Sequence, residues 1–307
     1  MQEEPRTPVE EEAVLDEITV TAQKRVENIQ EVPIAISTLD TEQLDQITVG
    51  NQDVRALSAR VPSLILESSF GRAFPRFYIR GLGNTDFDLN ASQPVSMVYD
   101  DVVLENPILK GMPIWDMERV EVLRGPQGTL FGRNTPAGVV KFESKRPTQE
   151  FDSYVRASLG TYTTGDVQAA IGGGLTETLS ARASVLWQTR DDWVDNGFTG
   201  ENDALGGYDT TALRLQFLWE PTEQFSTLLN IHAWDVDGTA RLFRGNMIEP
   251  GTNKPVAGFE PDTVFFDGLN SQDIEAQGAS LTFDYLFDGA TLTSITSFET
   301  LEMYSRG

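Results

Sequence analysis

From about residue 148 onward, apolar and polar side chains alternate with a period of two. "LRLQFLW" (213–219) sets Leu213, Leu215, Phe217 and Trp219 on one face and Arg214, Gln216 and Leu218 on the other. "ARASVLWQTR" (181–190) sets Ala181, Ala183, Val185 and Trp187 against Arg182, Ser184, Gln188 and Arg190. That period belongs to β-strands, whose side chains point to opposite faces in turn. The pattern predicts about seven strands, at 152–160, 165–173, 178–190, 208–219, 224–235, 275–287 and 290–304. The connections after strands two, four and six are short, while those after three and five are long. Tight turns on one rim and large loops on the other fit a transmembrane β-barrel, with the apolar face to lipid and the polar face to the lumen. A soluble sheet with one watered face is the alternative. Trp187, Trp193, Trp219, Phe225 and Phe287 fall near strand ends, where an aromatic girdle is expected.

Residues 28–147 read differently, as a small mixed α/β unit. "VPIAIST" (32–38) predicts a strand, and Asp40 with Gln43 three residues on resembles a capping box. "NQDVRALSARVP" (51–62) predicts a helix, with Asn51 as its cap and Val54, Leu57 and Val61 on its apolar face, stopped by Pro62. Short strands follow at 76–80, 95–104, 119–124 and 137–144. Residues 1–27 are acidic and contain prolines, and are expected to form a disordered arm. The domain organisation expected is therefore arm 1–27, α/β unit 28–147 and strand region 148–307.

Composition narrows the chemistry. With 47 acidic against 23 basic residues the formal charge is −24, which disfavours nucleic acid. Cysteine is absent and His232 is the single histidine, so thiolate or histidine-rich metal sites and nucleophile–histidine catalysis have no material. No catalytic residues, metal ligands or cofactor are assigned, and an enzyme is not expected. No run of about 20 apolar residues predicts a transmembrane helix, which leaves β-strand spans open. The N-terminus shows neither a basic nor an apolar signal region, so an exported form is expected to have lost its leader already.

One stretch, "VEVLRGPQGTLFGRNTPAGVV" (120–140), invites a phosphate-loop reading. It lacks the Gly-Lys-Ser/Thr of a P-loop, and Gly125, Gly128 and Gly132 do not fit G-x-G-x-x-G. Compact chain reversal between two strands is the remaining reading.

The same stretch, extended to "MERVEVLRGPQGTLFGRNTPAGVV" (117–140), resembles the plug signature of TonB-dependent outer-membrane receptors. "FYIRGLGN" (77–84) and "VSMVYDDVVL" (95–104) resemble two further plug segments, and "LDEITVTAQKR" (15–25) resembles the TonB box and the residues just after it. The resemblance implies an α/β plug domain followed by antiparallel transmembrane β-barrel strands, about seven of an expected 22. It therefore leads us to expect the N-terminal part of a longer receptor in the bacterial outer membrane.

The resemblance also implies roles for individual residues. Glu17, Ile18, Thr19, Val20, Thr21 and Ala22 are expected to bind TonB by adding a strand to its sheet. Arg80 and Arg124 are expected to lock the plug to barrel glutamates further along the chain. Phe70, Arg72, Phe74 and Phe87 on outward plug loops are the candidate ligand contacts. The expected partners are TonB with the ExbB/ExbD complex, an extracellular small-molecule chelate and outer-membrane lipid, but no nucleic acid. A ferric siderophore is the leading substrate, with cobalamin, haem or oligosaccharide as alternatives. A truncated, non-transporting interaction module is the rival of another class.

Overall fold

The structure, a computed structural model, describes residues 18–50, 53–86, 88–245 and 247–307. Glu17, Asn51 and Phe87 lie outside the described residues. The described chain opens with a short antiparallel pair, β1 (Thr19–Val20) and β2 (Glu27–Asn28), with Thr19 opposite Asn28 and Val20 opposite Glu27. The expectation of disorder through residue 27 therefore fails for 18–27. Val20 and Ala22 are wholly buried, packed with Val32, Leu123, Phe131 and Val139. Those few apolar side chains find a ready-made apolar surface, which the segment alone could not build.

The α/β unit comprises β3 (Ala35–Asp40), α1 (Thr41–Thr48), β4 (Leu64–Phe70), β5 (Ala73–Ile79), β6 (Val95–Tyr99), β7 (Val102–Leu104), β8 (Met117–Arg124) and β9 (Gly138–Ser144). Asp40 caps α1 as its pattern predicted: its carboxylate accepts from the Gln43 N–H, and the Gln43 side chain answers to the Asp40 N–H. The predicted helix over 51–62 is only a 3-10 turn, Val54–Leu57, and its described cap is Asp53. Ala59 takes a left-handed φ of 61°, which a helix cannot carry through. The main sheet runs β3-β8-β9-β6-β7, and β4 pairs separately with β5. Strands β8 and β9 are buried on both faces. Val120, Val122, Val140 and Phe142 enter the main core with Leu57, Leu64 and Trp115. Leu123 and Val139 meet the N-terminal segment on the other side.

The glycine-rich stretch is the β8–β9 connection. Gly125 donates to the Ala137 carbonyl (2.9 Å) and Gln127 to that of Thr135 (3.1 Å), closing a compact loop around a short helical turn. Gly138 explains one glycine there. Its φ is 153°, and a Cβ would lie 2.2 Å from the Leu123 carbonyl oxygen and 2.8 Å from Ile79 Cδ1. Gly138→Ala is therefore expected to cost about 2–4 kcal/mol, by prying β9 from β8. Urea titration followed by tryptophan fluorescence checks this, and an unmoved midpoint would show that the strands yield freely.

The seven predicted wall strands are found among the described residues, in order along one antiparallel sheet: β10 (Asp152–Leu159), β11 (Gly165–Thr176), β12 (Leu179–Arg190), β15 (Tyr208–Thr222), β16 (Phe225–Gly238), β18 (Ser271–Phe287) and β19 (Ala290–Arg306). Between them, β13 (Val194–Asn196), β14 (Glu201–Leu205) and β17 (Thr263–Val264) form a small sheet within the long connections. The turns at 177–178, 223–224 and 288–289 mark one rim, and the loops 191–207 and 239–270 mark the other. Alternation is kept across the register: Val185, Leu213, Ile231 and Leu281 are exposed on the outer face, while Arg182, Arg214, Gln216 and Asn230 face the plug and are buried. At the short-turn rim, Trp219, Phe225, Tyr285 and Phe287 form a ring-to-ring chain, as a girdle requires. Trp193 departs from that expectation. It sits in the 191–207 loop beside Tyr162, their rings 5.3 Å apart.

Candidate functional site

Three features join plug and wall. The first is a buried polar seam. Arg182 of β12 donates twice to Asp116 (2.8 and 2.6 Å) and once to Asp152 (2.8 Å). Arg214 of β15 donates to the Trp115 and Asp116 carbonyls (2.9 and 3.0 Å), lies 3.6 Å from the Asp116 carboxylate and bonds the Tyr99 hydroxyl. Its guanidinium also stacks on Trp115, 4.5 Å from the ring centre. Gln216 reaches Ser144, and Asn230 reaches Asp100, both at 2.8 Å. Buried charges persist only when paired in this way. His232 is buried beside this seam, with Nε2 3.1 Å from Glu299.

The second is the seat of the N-terminal segment. Thr21 donates its N–H to Glu121 (2.8 Å), and its hydroxyl accepts from the Lys141 ammonium (2.7 Å). Around it, Arg119 pairs with Glu121 (2.7 Å), and Lys141 pairs with Glu143 (2.5 Å) and Asp101 (3.0 Å). Burial pushes Lys141 down, but the Glu143 and Asp101 carboxylates outweigh it and hold the ammonium above the ordinary lysine value. Lys24 then lies over the Phe131 ring at 5.5 Å, so the glycine-rich connection helps to hold the segment.

The third is a cavity of about 600 Å³ at the long-loop rim, between the β4–β5 turn and the wall. Arg55, Arg72, Arg190, Arg241 and Arg244 line it, with Trp193 and Tyr208. Arg241 ties the cavity to the plug by donating to the Ser68 carbonyl (2.6 Å), and Gln272 does so through that of Phe70 (3.0 Å). Asp53 is the one carboxylate in the lining, paired with Arg55 at 2.5 Å. Burial pushes Asp53 up, yet the Arg55 hydrogen bond and the Arg72 and Arg55 charges hold it below the usual carboxylate range. No group of three His, Asp or Glu placed to hold a metal occurs among the described residues.

Residues 28–139 match the family described as TonB-dependent Receptor Plug Domain. Over those residues the chain carries a plug domain like that of TonB-dependent receptors. It is 26% identical over 208 residues to the ferric-pyoverdine 358 receptor of Pseudomonas putida, covering 64% of this chain and 24% of that protein. The ferrioxamine B receptor of Salmonella typhimurium is 23% identical over 245 residues, 79% of this chain and 33% of its own length. The chain thus spans between a quarter and a third of the length of these curated relatives. The fold is also that of the ferric yersiniabactin uptake receptor from Yersinia pestis, with a TM-score of 0.75 at 18% identity, over 89% of this chain and 41% of that one.

The predicted site residues fall unevenly. Thr19 and Val20 form β1, and Thr21 and Ala22 follow it into the plug; Ile18 is exposed beside them. Arg124 donates to the Ala35 and Ile36 carbonyls and to Ser37 (3.4, 3.3 and 3.0 Å), within the plug itself. Arg80 is exposed, with φ 53°. Between plug and wall, Arg182 and Arg214 of the wall meet Asp116 of the plug. Of the ligand candidates, Arg72 lines the cavity. Phe74 is a correction: it is wholly buried against Phe70, ring centres 5.4 Å apart, and is closed to any ligand. Phe70 packs on the plug core. Sequence reasoning missed Arg55, Arg190, Arg241, Arg244 and Tyr208. Their signal, arginines beside aromatics where strands end in long loops, is weak until the loops converge.

Proposed function

We propose that the receptor imports a ferric siderophore, bound in the rim cavity and released inward by TonB acting on residues 17–22. The observation that carries this reading is the cavity's shared construction. Plug and long-loop rim both line it, so a bound ligand touches the domain that must move. Its relatives among receptors for ferric pyoverdine and ferrioxamine B support iron chelates over other solutes. TonB, energised through ExbB/ExbD, supplies the sheet edge to which the 17–22 strand adds. The exposed apolar outer face of β12, β15, β16 and β18 is suited to outer-membrane lipid.

The test is uptake of radio-iron siderophores by iron-starved cells that carry the protein as their one such receptor. Accumulation is expected, together with its loss when TonB is deleted. Equal accumulation with and without TonB would overturn the energised-import reading.

A further inference from the structure

We propose that the rim cavity selects ferric chelates of net negative charge and rejects neutral ones. This rests on the import reading and names the substrate class it serves. Five guanidiniums face the cavity, against the single carboxylate of Asp53, which Arg55 already occupies through both carboxylate oxygens. Asp192, nearby in the chain, spends its carboxylate on the Gly207 N–H (2.7 Å). In a chain of formal charge −24, so local a concentration of positive charge makes the cleft a focus for anions.

The guanidiniums are also held in place. Arg72 stacks on Tyr208, 3.8 Å from the ring centre, and donates to Gln188 (3.4 Å). Arg190 sits 5.2 Å from both the Tyr162 and Trp193 rings, and Arg241 sits 5.0 Å from that of Phe243. Stacking fixes the plane of each guanidinium and leaves its edge N–H groups to donate.

Coordination chemistry then divides the candidates. Ferric iron held by three hydroxamates is neutral. Held by three catecholates it is a trianion, and hydroxycarboxylate chelates also keep negative charge. The shared chemistry is an iron complex with anionic oxygens on its surface. A neutral chelate of the same size brings the cavity's guanidiniums no counter-charge beyond that of Asp53.

The experiment uses the protein purified in detergent and titrated with three probes, followed by tryptophan fluorescence quenching at low and high salt. The probes are a hexadentate ferric tris-catecholate, a neutral hexadentate ferric tris-hydroxamate of matched size, and ferric citrate. An anionic probe is expected to bind about tenfold or more tighter than the neutral one, and to weaken with salt. Comparison of catecholate with citrate tells which anionic class is taken. Arg72→Gln and Arg190→Gln are each expected to weaken anionic binding about tenfold while leaving the neutral probe unchanged. Arg72→Lys keeps the charge and retains most of the preference. Neutral binding as tight as anionic would overturn the charge inference and leave the import reading standing. Binding of none of the three would overturn both.

Discussion

Asp116→Asn is expected to loosen the plug from the wall more than any other single change. Asparagine keeps the side chain's shape and tolerates the left-handed backbone at this position, φ 51°. What it removes is the charge between two arginines. The Asp116 side chain has no exposure, and those of Arg182 and Arg214 have 4% and 1%. After the change both guanidiniums stay buried, and only Arg182 keeps a carboxylate, Asp152. Breaking a buried pair from one side typically costs about 3–5 kcal/mol, because the orphaned charge remains. The urea midpoint should fall accordingly, and protease should reach the plug sooner. Adding Arg214→Met should recover part of the loss, since the orphaned charge goes with it. A midpoint within about 1 kcal/mol of the parent would mean that the Asp152 pair and the backbone carbonyls suffice, and the seam would not be the fastening.

Val20→Pro is expected to abolish energised uptake while leaving ligand binding intact. The docked conformation sharpens what the substitution tests. Val20 is wholly buried and paired with Glu27, so the segment cannot add to a partner's sheet while it sits on the plug. Strand addition runs on main-chain hydrogen bonds, and proline deletes one donor whichever surface the strand lies on. A companion variant separates docking from recognition. Thr21→Val removes the hydroxyl that meets Lys141, Glu121 and Glu143 but keeps every backbone donor. It should free the segment and still support uptake. Transport by Val20→Pro at the parental rate, with siderophore bound, would show that residues 17–22 are not the strand TonB captures.

Much of this architecture was legible in the residues, and the boundary of legibility has a physical cause. The seven wall strands were readable because each alternates over many positions, and a slip of one residue would turn Arg214 to the apolar side. The Asp40–Gln43 cap was readable because both partners lie within one helical turn. The 51–62 segment misled because its apolar spacing suits a helix, whereas the chain turns at Ala59 to enter β4. Phe74 read as a loop aromatic, and only packing shows its ring facing inward. Trp193 read as girdle and became cavity lining, since its place depends on how a 17-residue connection (191–207) folds back over the rim.

The sequence by itself determined the local and periodic features: a glycine-rich reversal, a capped helix, alternating strands and short turns segregated from long loops. Each arises from interactions between residues close along the chain, so their order alone specifies them. Only the tertiary structure decided which charges meet. Asp116 lies 66 residues from Arg182 and 98 from Arg214, and the cavity gathers arginines from position 55 to position 244. Those meetings depend on how the wall curves around the plug and at which register, a property of the packed whole that no local spacing encodes.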